Sequence, residues 1–186
     1  PMGGYGLTVL EIEAIVAAGI AAENPVVPDE SAFDEVLDRN PSTTDLNGTT
    51  GNDLLRGGNV GDEVTIRGYD GDDWLVGGDD DELMWSGPGD DVLIAGNGDN
   101  QLNGGAGEDQ LFGGSGYDRF VYDAEGQRDR IVNQGGGGDR LFFIDSVTAD
   151  RLFFYRYCDD LVIRVDDDPQ RQVTVVNWFM GGEYLI

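Results

Sequence analysis

The sequence contains no lysine and no histidine, and its single cysteine is Cys158. Without histidine, Ser-His-Asp and Cys-His catalysis and His-ligated zinc sites are excluded within these residues. A lone cysteine cannot form an internal disulfide, and Cys158 reads as a single thiol on or near a β-turn. No apolar run approaches the length needed to span a membrane. Positive charge is scarce too: 11 arginines face 37 acidic residues in 186, for a net charge of −26. Such a chain is repelled by nucleic acid and by anionic membrane surfaces, so neither is an expected partner, nor is membrane insertion. The charge fits cations as partners, or a highly solvated surface such as life in high salt selects, and composition does not separate the two. No basic region followed by a hydrophobic core marks a signal peptide. Pro1-Met2-Gly3 reads as a cloning scar and Leu185-Ile186 ends inside a strand-like run, so the chain is expected to be cut from something longer.

Glycine and aspartate are abundant, and they are concentrated. Residues 48–121 hold 19 of the 30 glycines and a net charge of −13. This shift divides the chain into an N-terminal segment (1–47), a central unit (48–121) and a C-terminal segment (122–186). The central unit falls into eight nonads: GTTGNDLLR (48–56), GGNVGDEVT (57–65), GYDGDDWLV (68–76), GGDDDELMW (77–85), SGPGDDVLI (86–94), AGNGDNQLN (95–103), GGAGEDQLF (104–112) and GGSGYDRFV (113–121). In this alignment Ile66-Arg67 is an insertion. Position 8 is apolar throughout: Leu55, Val64, Leu75, Met84, Leu93, Leu102, Leu111 and Phe120. Position 6 always carries a side-chain oxygen: Asp53, Asp62, Asp73, Glu82, Asp91, Asn100, Asp109 and Asp118.

The spacing has a physical reading. Positions 7–9 form a short strand with position 8 turned inward, and positions 1–6 form a turn whose glycines permit left-handed backbone. Two nonads make one coil, so equivalent turns stack every second nonad. Stacking brings position-6 carboxylates together along an edge, where like charges repel unless a cation lies between them. Oxygen-only ligands in a flexible turn suit Ca²⁺ better than Mg²⁺.

The pattern resembles the RTX, or haemolysin-type, nonapeptide G-G-x-G-x-D-x-U-x, a repeat of known period, with GGAGEDQLF and GGSGYDRFV the best matches. The resemblance implies an all-β fold, a parallel β-roll with Ca²⁺ between successive turns on each edge. It implies three ions on the edge formed by Asp53, Asp73, Asp91 and Asp109. Turn carbonyls would complete the shells: Gly68, Asp70, Gly87 and Gly89 at the middle site, Gly48, Thr50 and Gly71 at the first, Gly105 and Gly107 at the third. The other edge, with Asp62, Glu82, Asn100 and Asp118, is degraded. Val60 and Asp80 stand where glycine is expected, so this edge is expected to hold one or two ions. Asp79-Asp80-Asp81-Glu82 reads as a solvated turn, not a second cluster.

The odd nonads present an unusually apolar outer face, which something is expected to cover. An N-terminal helix is the candidate. Thr8-Val9-Leu10-Glu11 reads as a capping box, with Ile12, Ile15, Val16, Gly19 and Ile20 on one face and Asn24-Pro25 ending it. A second short helix is expected after Ser31, through Phe33, Val36 and Leu37. After residue 121 the nonad is expected to give way to strands over 129–133, 140–144, 151–156, 160–165 and 172–179, with turns at 135–138 and at Asp166–Pro169. DRLFFYRYCDDLVIRV and QVTVVNWF resemble the haemolysin-type calcium-binding-protein-related domain, a β-rich cap for the open end of the roll. Cys158 stands where glycine would be more usual.

No nucleophile motif is present, and no paired carboxylates lie outside the repeat, so the chain is not expected to be an enzyme. The resemblance implies a calcium-binding module that folds after type I secretion as part of a larger secreted bacterial protein, with the secretion machinery as a partner and an extracellular location. The alternative is a receptor- or glycan-binding segment of an adhesin or toxin, using Trp74 and Trp85 on the roll face.

Overall fold

The computed structural model describes residues 14–15, 25, 27–38, 43–58, 61, 63–122, 128–132, 137–144 and 147–178. Sixteen strands are defined among them. In chain order they are β1 (Ala14–Ile15), β2 (Glu35–Asp38), β3 (Asp45–Asn47), β4 (Asp53–Arg56), β5 (Val64–Arg67), β6 (Trp74–Val76), β7 (Glu82–Pro88), β8 (Val92–Asn97), β9 (Gln101–Ala106), β10 (Gln110–Ser115), β11 (Arg119–Tyr122), β12 (Arg128–Val132), β13 (Gly137–Phe143), β14 (Leu152–Tyr157), β15 (Asp160–Val165) and β16 (Gln172–Val175).

From β2 to β13 the chain alternates between two sheets, one strand in each per coil. One sheet runs β1-β13-β11-β9-β7-β5-β3, and the other runs β14-β15-β16-β12-β10-β8-β6-β4-β2. Neighbours from β2 through β13 are parallel, as in β6, β8 and β10, where Leu75, Leu93 and Leu111 lie side by side. This is the expected parallel β-roll.

Each strand is short because the repeat allots it few residues, and its central apolar side chain points between the sheets. Leu55, Leu75, Leu93, Leu111 and Ile131 come from one sheet and Leu46, Ile66, Met84, Leu102, Phe120 and Leu141 from the other, all within one cluster of buried residues. A fully buried Leu contributes roughly 1.5–3 kcal/mol. The apolar row on the outer face of the nine-stranded sheet is buried as expected: Val92, Ile94, Phe112 and Val132 are at most 7 % exposed, and Trp74 packs against them.

The helical expectations need correction. Ala14–Ile15, inside the first expected helix, pairs antiparallel with β13. The remainder of 8–24 lies outside the described residues, and so does that helix as a cover for the apolar face. The second helix is reduced to the 3-10 turn Glu30–Ala32. Val36 and Leu37 instead form β2, with Leu37 in register with Leu55. A parallel strand edge outcompetes a short helix here because it satisfies the backbone and extends the core stack together.

The register of the second repeat also differs from the alignment by nonads. Val64 pairs with Glu82 and Ile66 with Met84, so Ile66 is the core residue, and the two extra residues lie in the turn before β5. Pairing decides it, not burial: Val64 and Ile66 share a face and both are 0 % exposed, but Ile66 is the one in register with Leu46 and Met84.

Coiling does not stop at residue 121. β12 pairs parallel with β10 and β13 with β11, although neither is preceded by a complete nonad. β16 adds parallel to β12, and β14 and β15 close that end antiparallel. β14 forms the edge and leaves Phe153, Phe154, Tyr155 and Tyr157 exposed. Cys158 is exposed in the β14–β15 turn at φ +54°, the left-handed conformation in which glycine is the usual residue.

Candidate metal centre

Position 6 of each repeat stands at the point where turn becomes strand, and stacking the coils aligns these residues. On the first edge the backbone N–H of Asp53 donates to Asp73 Oδ1 (2.8 Å), that of Asp73 to Asp91 Oδ1 (2.7 Å), that of Asp91 to Asp109 Oδ1 (3.0 Å) and that of Asp109 to Asp129 Oδ1 (3.3 Å). On the second edge Glu82 N–H donates to Asn100 Oδ1 (2.9 Å), Asn100 N–H to Asp118 Oδ1 (3.1 Å) and Asp118 N–H to Asp139 Oδ1 (2.8 Å). No residue of either ladder from Asp53 to Asp139 is more than 5 % exposed.

One oxygen per carboxylate is thus used within the protein. At four of them the other is not: Asp73 Oδ2, Asp91 Oδ2, Glu82 Oε2 and Asp118 Oδ2 are buried with no hydrogen-bond partner. A buried anionic oxygen without a donor is among the most costly arrangements a fold can contain. Burial accordingly pushes the carboxyls of Asp73, Asp91 and Asp118 up to about 7 and that of Glu82 to about 8. Neighbouring carboxylates add to the effect: Asp91, Asp53 and Asp72 on Asp73, and Asp80, Asp81 and Asp79 on Glu82.

The surroundings of these oxygens are themselves electronegative. A side chain at Gly68 would place its first carbon 2.1 Å from Asp73 Oδ2 and 2.8 Å from the Ser86 carbonyl. At Gly77 the corresponding neighbours are the Ala95 carbonyl at 2.4 Å and Glu82 Oε2 at 2.7 Å. Ligand oxygen and next-coil carbonyl therefore converge beside each of these glycines, in a space that glycine keeps open. The turns are also pressed together. Gly89 has φ +149° and Gly107 +143°, and a Cβ on either would come within 2.0 Å of the carbonyl of the equivalent glycine one coil back.

Orphaned oxygens, converging carbonyls and hard ligands without nitrogen or sulfur fit a calcium-type cation. Among the described residues no three Asp, Glu, His or Cys side chains gather as a metal cage. The ligand set must therefore draw on backbone carbonyls, and the glycine turns present them.

Three positions differ from the rest. Asp53 is satisfied inside the protein, because Thr49 donates its N–H (2.5 Å) and its hydroxyl (2.9 Å) to Asp53 Oδ2. Asn100 brings an amide where its neighbours bring a carboxylate. Val64 occupies the ladder position of the second repeat and offers no oxygen. Asp62, assigned to that position by the nonad alignment, lies outside the described residues, and the pairing of Val64 with Glu82 takes the position from it. Of the run 79–82, Asp79 and Asp81 serve the outer turn surface, accepting from Asn97 Nδ2 and the Asp99 N–H. Glu82 belongs to the buried ladder instead.

Asp129 and Asp139 are ladder members that the nonad count misses. Each keeps the D-x-apolar half of the repeat, Asp129-Arg130-Ile131 and Asp139-Arg140-Leu141; Asp129 lacks the glycine half, whereas Asp139 follows the glycine run 135–138. They stand 20 and 21 residues beyond Asp109 and Asp118 instead of 18, and this broken spacing hides them from a count by nonads.

A second, exposed row runs along the first edge at position 5, with the opposite hydrogen-bond sense. Asp72 N–H donates to Asn52 Oδ1 (2.9 Å), Asp90 N–H to Asp72 Oδ1 (3.0 Å) and Glu108 N–H to Asp90 Oδ1 (2.9 Å). Arg128 closes the row on Glu108.

Residues 43–59, 65–93 and 85–120 match the family model of the RTX calcium-binding nonapeptide repeat, in 4 copies. No curated protein matches the sequence. The matched stretches cover the ladder residues from Asp53 to Asp118, and their family description agrees with the chemistry of the oxygens there. With two parallel sheets, a buried aspartate row on each edge and glycine turns between them, this chain carries RTX calcium-binding nonapeptide repeats that form a parallel β-roll.

Proposed function

We propose that the chain is a calcium-triggered folding module of a larger secreted bacterial protein, exported by a type I system and folded outside the cell. The observation that carries the reading is the row of buried carboxylate oxygens that have no donor inside the protein. On the first edge Asp53, Asp73, Asp91 and Asp109 would be the ligands, with carbonyls of Gly48, Thr50, Gly68, Asp70, Gly71, Gly87, Gly89, Gly105 and Gly107. On the second edge they would be Glu82 and Asp118. Asp129 and Asp139 would extend the two rows.

Bound calcium would supply the positive charge that these oxygens lack. Without it, a chain with net charge −26 and carboxylates forced into contact favours expanded conformations, which suit passage through a narrow channel. The coils can form once the carboxylates are neutralised, so folding follows the calcium concentration of the compartment. A site at ten times its dissociation constant adds about 1.4 kcal/mol to the folded state. A few such sites match the whole stability of a marginal domain, about 5 kcal/mol. The role is structural rather than catalytic, and any chemistry would belong to other parts of the parent protein.

Circular dichroism during a calcium titration tests this, with EDTA reversal and magnesium as the control. A calcium-specific gain of β-signal and a rise in thermal midpoint are expected. An unchanged spectrum and midpoint would eliminate the reading.

A further inference from the structure

Asn100 stands in the second ladder between Glu82 and Asp118. Its Oδ1 accepts the Glu82 N–H, as the corresponding oxygen does in every other ladder residue that receives one. Its second side-chain atom differs. At Asp73, Asp91 and Asp118 this atom is an oxygen with no partner. At Asn100 it is Nδ2, which donates to the Asn97 carbonyl (3.3 Å), the Gly98 carbonyl (3.1 Å) and Asp118 Oδ1 (3.0 Å). The reverse amide orientation would set an oxygen against two carbonyls and a carboxylate and an NH₂ against an N–H, so the network permits one assignment. The residue is 2 % exposed, and its hydrogen bonds form away from water.

We infer that Asn100 is a built-in replacement for a cation: its amide protons hold the turn oxygens of residues 95–100 together, and this coil closes without metal. The inference rests on the calcium reading above and adds to it that the second edge is not uniformly metal-dependent. The amide carries only partial positive charge, but it faces a cluster with one carboxylate fewer. Less charge is therefore needed to hold the oxygens together. Its position between Glu82 and Asp118 fastens three successive coils to one another before any ion arrives. It also lowers the number of ions the second edge takes up. Ligand and replacement differ here by one atom, oxygen or NH₂, in side chains of the same shape.

Calcium stoichiometry of the full chain, measured by isothermal titration calorimetry and native mass spectrometry, tests this with two variants. Asn100→Asp restores the missing carboxylate oxygen. It is expected to bind one more calcium than the parent and to melt lower in EDTA. Asn100→Ala removes the donors without adding charge. It is expected to bind the same number of ions as the parent and to melt lower both in EDTA and in calcium. If Asn100→Asp gains no ion, or if Asn100→Ala loses one and so shows Asn100 to be a ligand itself, the inference is overturned. If the parent chain binds no calcium at all, the calcium reading fails first and the inference fails with it.

Discussion

Acid should do for the metal-free protein part of what calcium does at neutral pH. Asp91 and Asp118 are 1 % and 2 % exposed, and burial holds both carboxyls near 7, against about 3.9 in an unfolded chain. Between these limits the folded state keeps the two protons and the unfolded state does not. The stabilisation is therefore complete below about pH 4 and is lost as pH rises through about 7. Each group contributes a slope of about 1.4 kcal/mol per pH unit in that window. The pair together gives roughly 3 kcal/mol per unit, a large part of the 5–15 kcal/mol that holds a typical domain folded. With calcium bound the slope disappears from this window. The carboxylates stay ionised in the folded state, the unfolded chain takes up protons only near pH 4, and stability falls on acidification only there. Urea denaturation at pH 5, 6, 7 and 8, in EDTA and in millimolar calcium, measures both slopes. Stability should fall with rising pH in EDTA and stay nearly level in calcium. General repulsion within so acidic a chain also favours low pH, so the assay needs Asp91→Asn and Asp118→Asn, which should each flatten the EDTA slope, and Asp150→Asn, on an exposed turn, which should not. Parallel slopes in the two media, or an EDTA slope unchanged by both ladder variants, would refute the reasoning.

Replacing Gly107 by alanine sets a Cβ 1.9 Å from the Gly89 carbonyl at φ +143°. It should cost at least about 3 kcal/mol, whereas Gly58→Ala, at φ +66° with nothing within 4 Å, should cost about 1 kcal/mol; denaturation in saturating calcium compares them. Truncating Leu93, which is 0 % exposed in the middle of the core stack, to alanine should cost roughly 2–5 kcal/mol in saturating calcium, visible as a lower denaturation midpoint. Arg128→Ala removes an ion pair to Glu108 whose side chains are 46 % and 41 % exposed, and should lower stability by no more than about 1 kcal/mol in the same assay.

How far the sequence could be read depended on how many independent demands each position met. Asp73, Asp91 and Asp109 were legible because glycine turn, ligand and core leucine recur together around them. Asp129 was not, since only the ligand and core residue survive there, and Asp139 was not, since it stands 21 residues beyond Asp118 instead of 18. The 57–67 repeat was misaligned because Val64 and Ile66 are equally good apolar residues. The choice between them depends on which one stacks on Met84, and nothing local in the chain specifies that. Val36 and Leu37 were read as helical from spacing, whereas the edge of a parallel sheet, absent from any local window, makes them a strand. The donors that satisfy Asp53 and replace a cation at Asn100 are single-atom matters of which group faces which, and spacing does not encode them.

The two rows of turn hydrogen bonds on the first edge run in opposite directions, the buried one pointing forward along the roll and the exposed one backward. A turn that has become ordered therefore presents a fixed acceptor to the coil ahead and another to the coil behind. Growth from any nucleus can advance toward either terminus, so the roll needs no privileged end from which to zip.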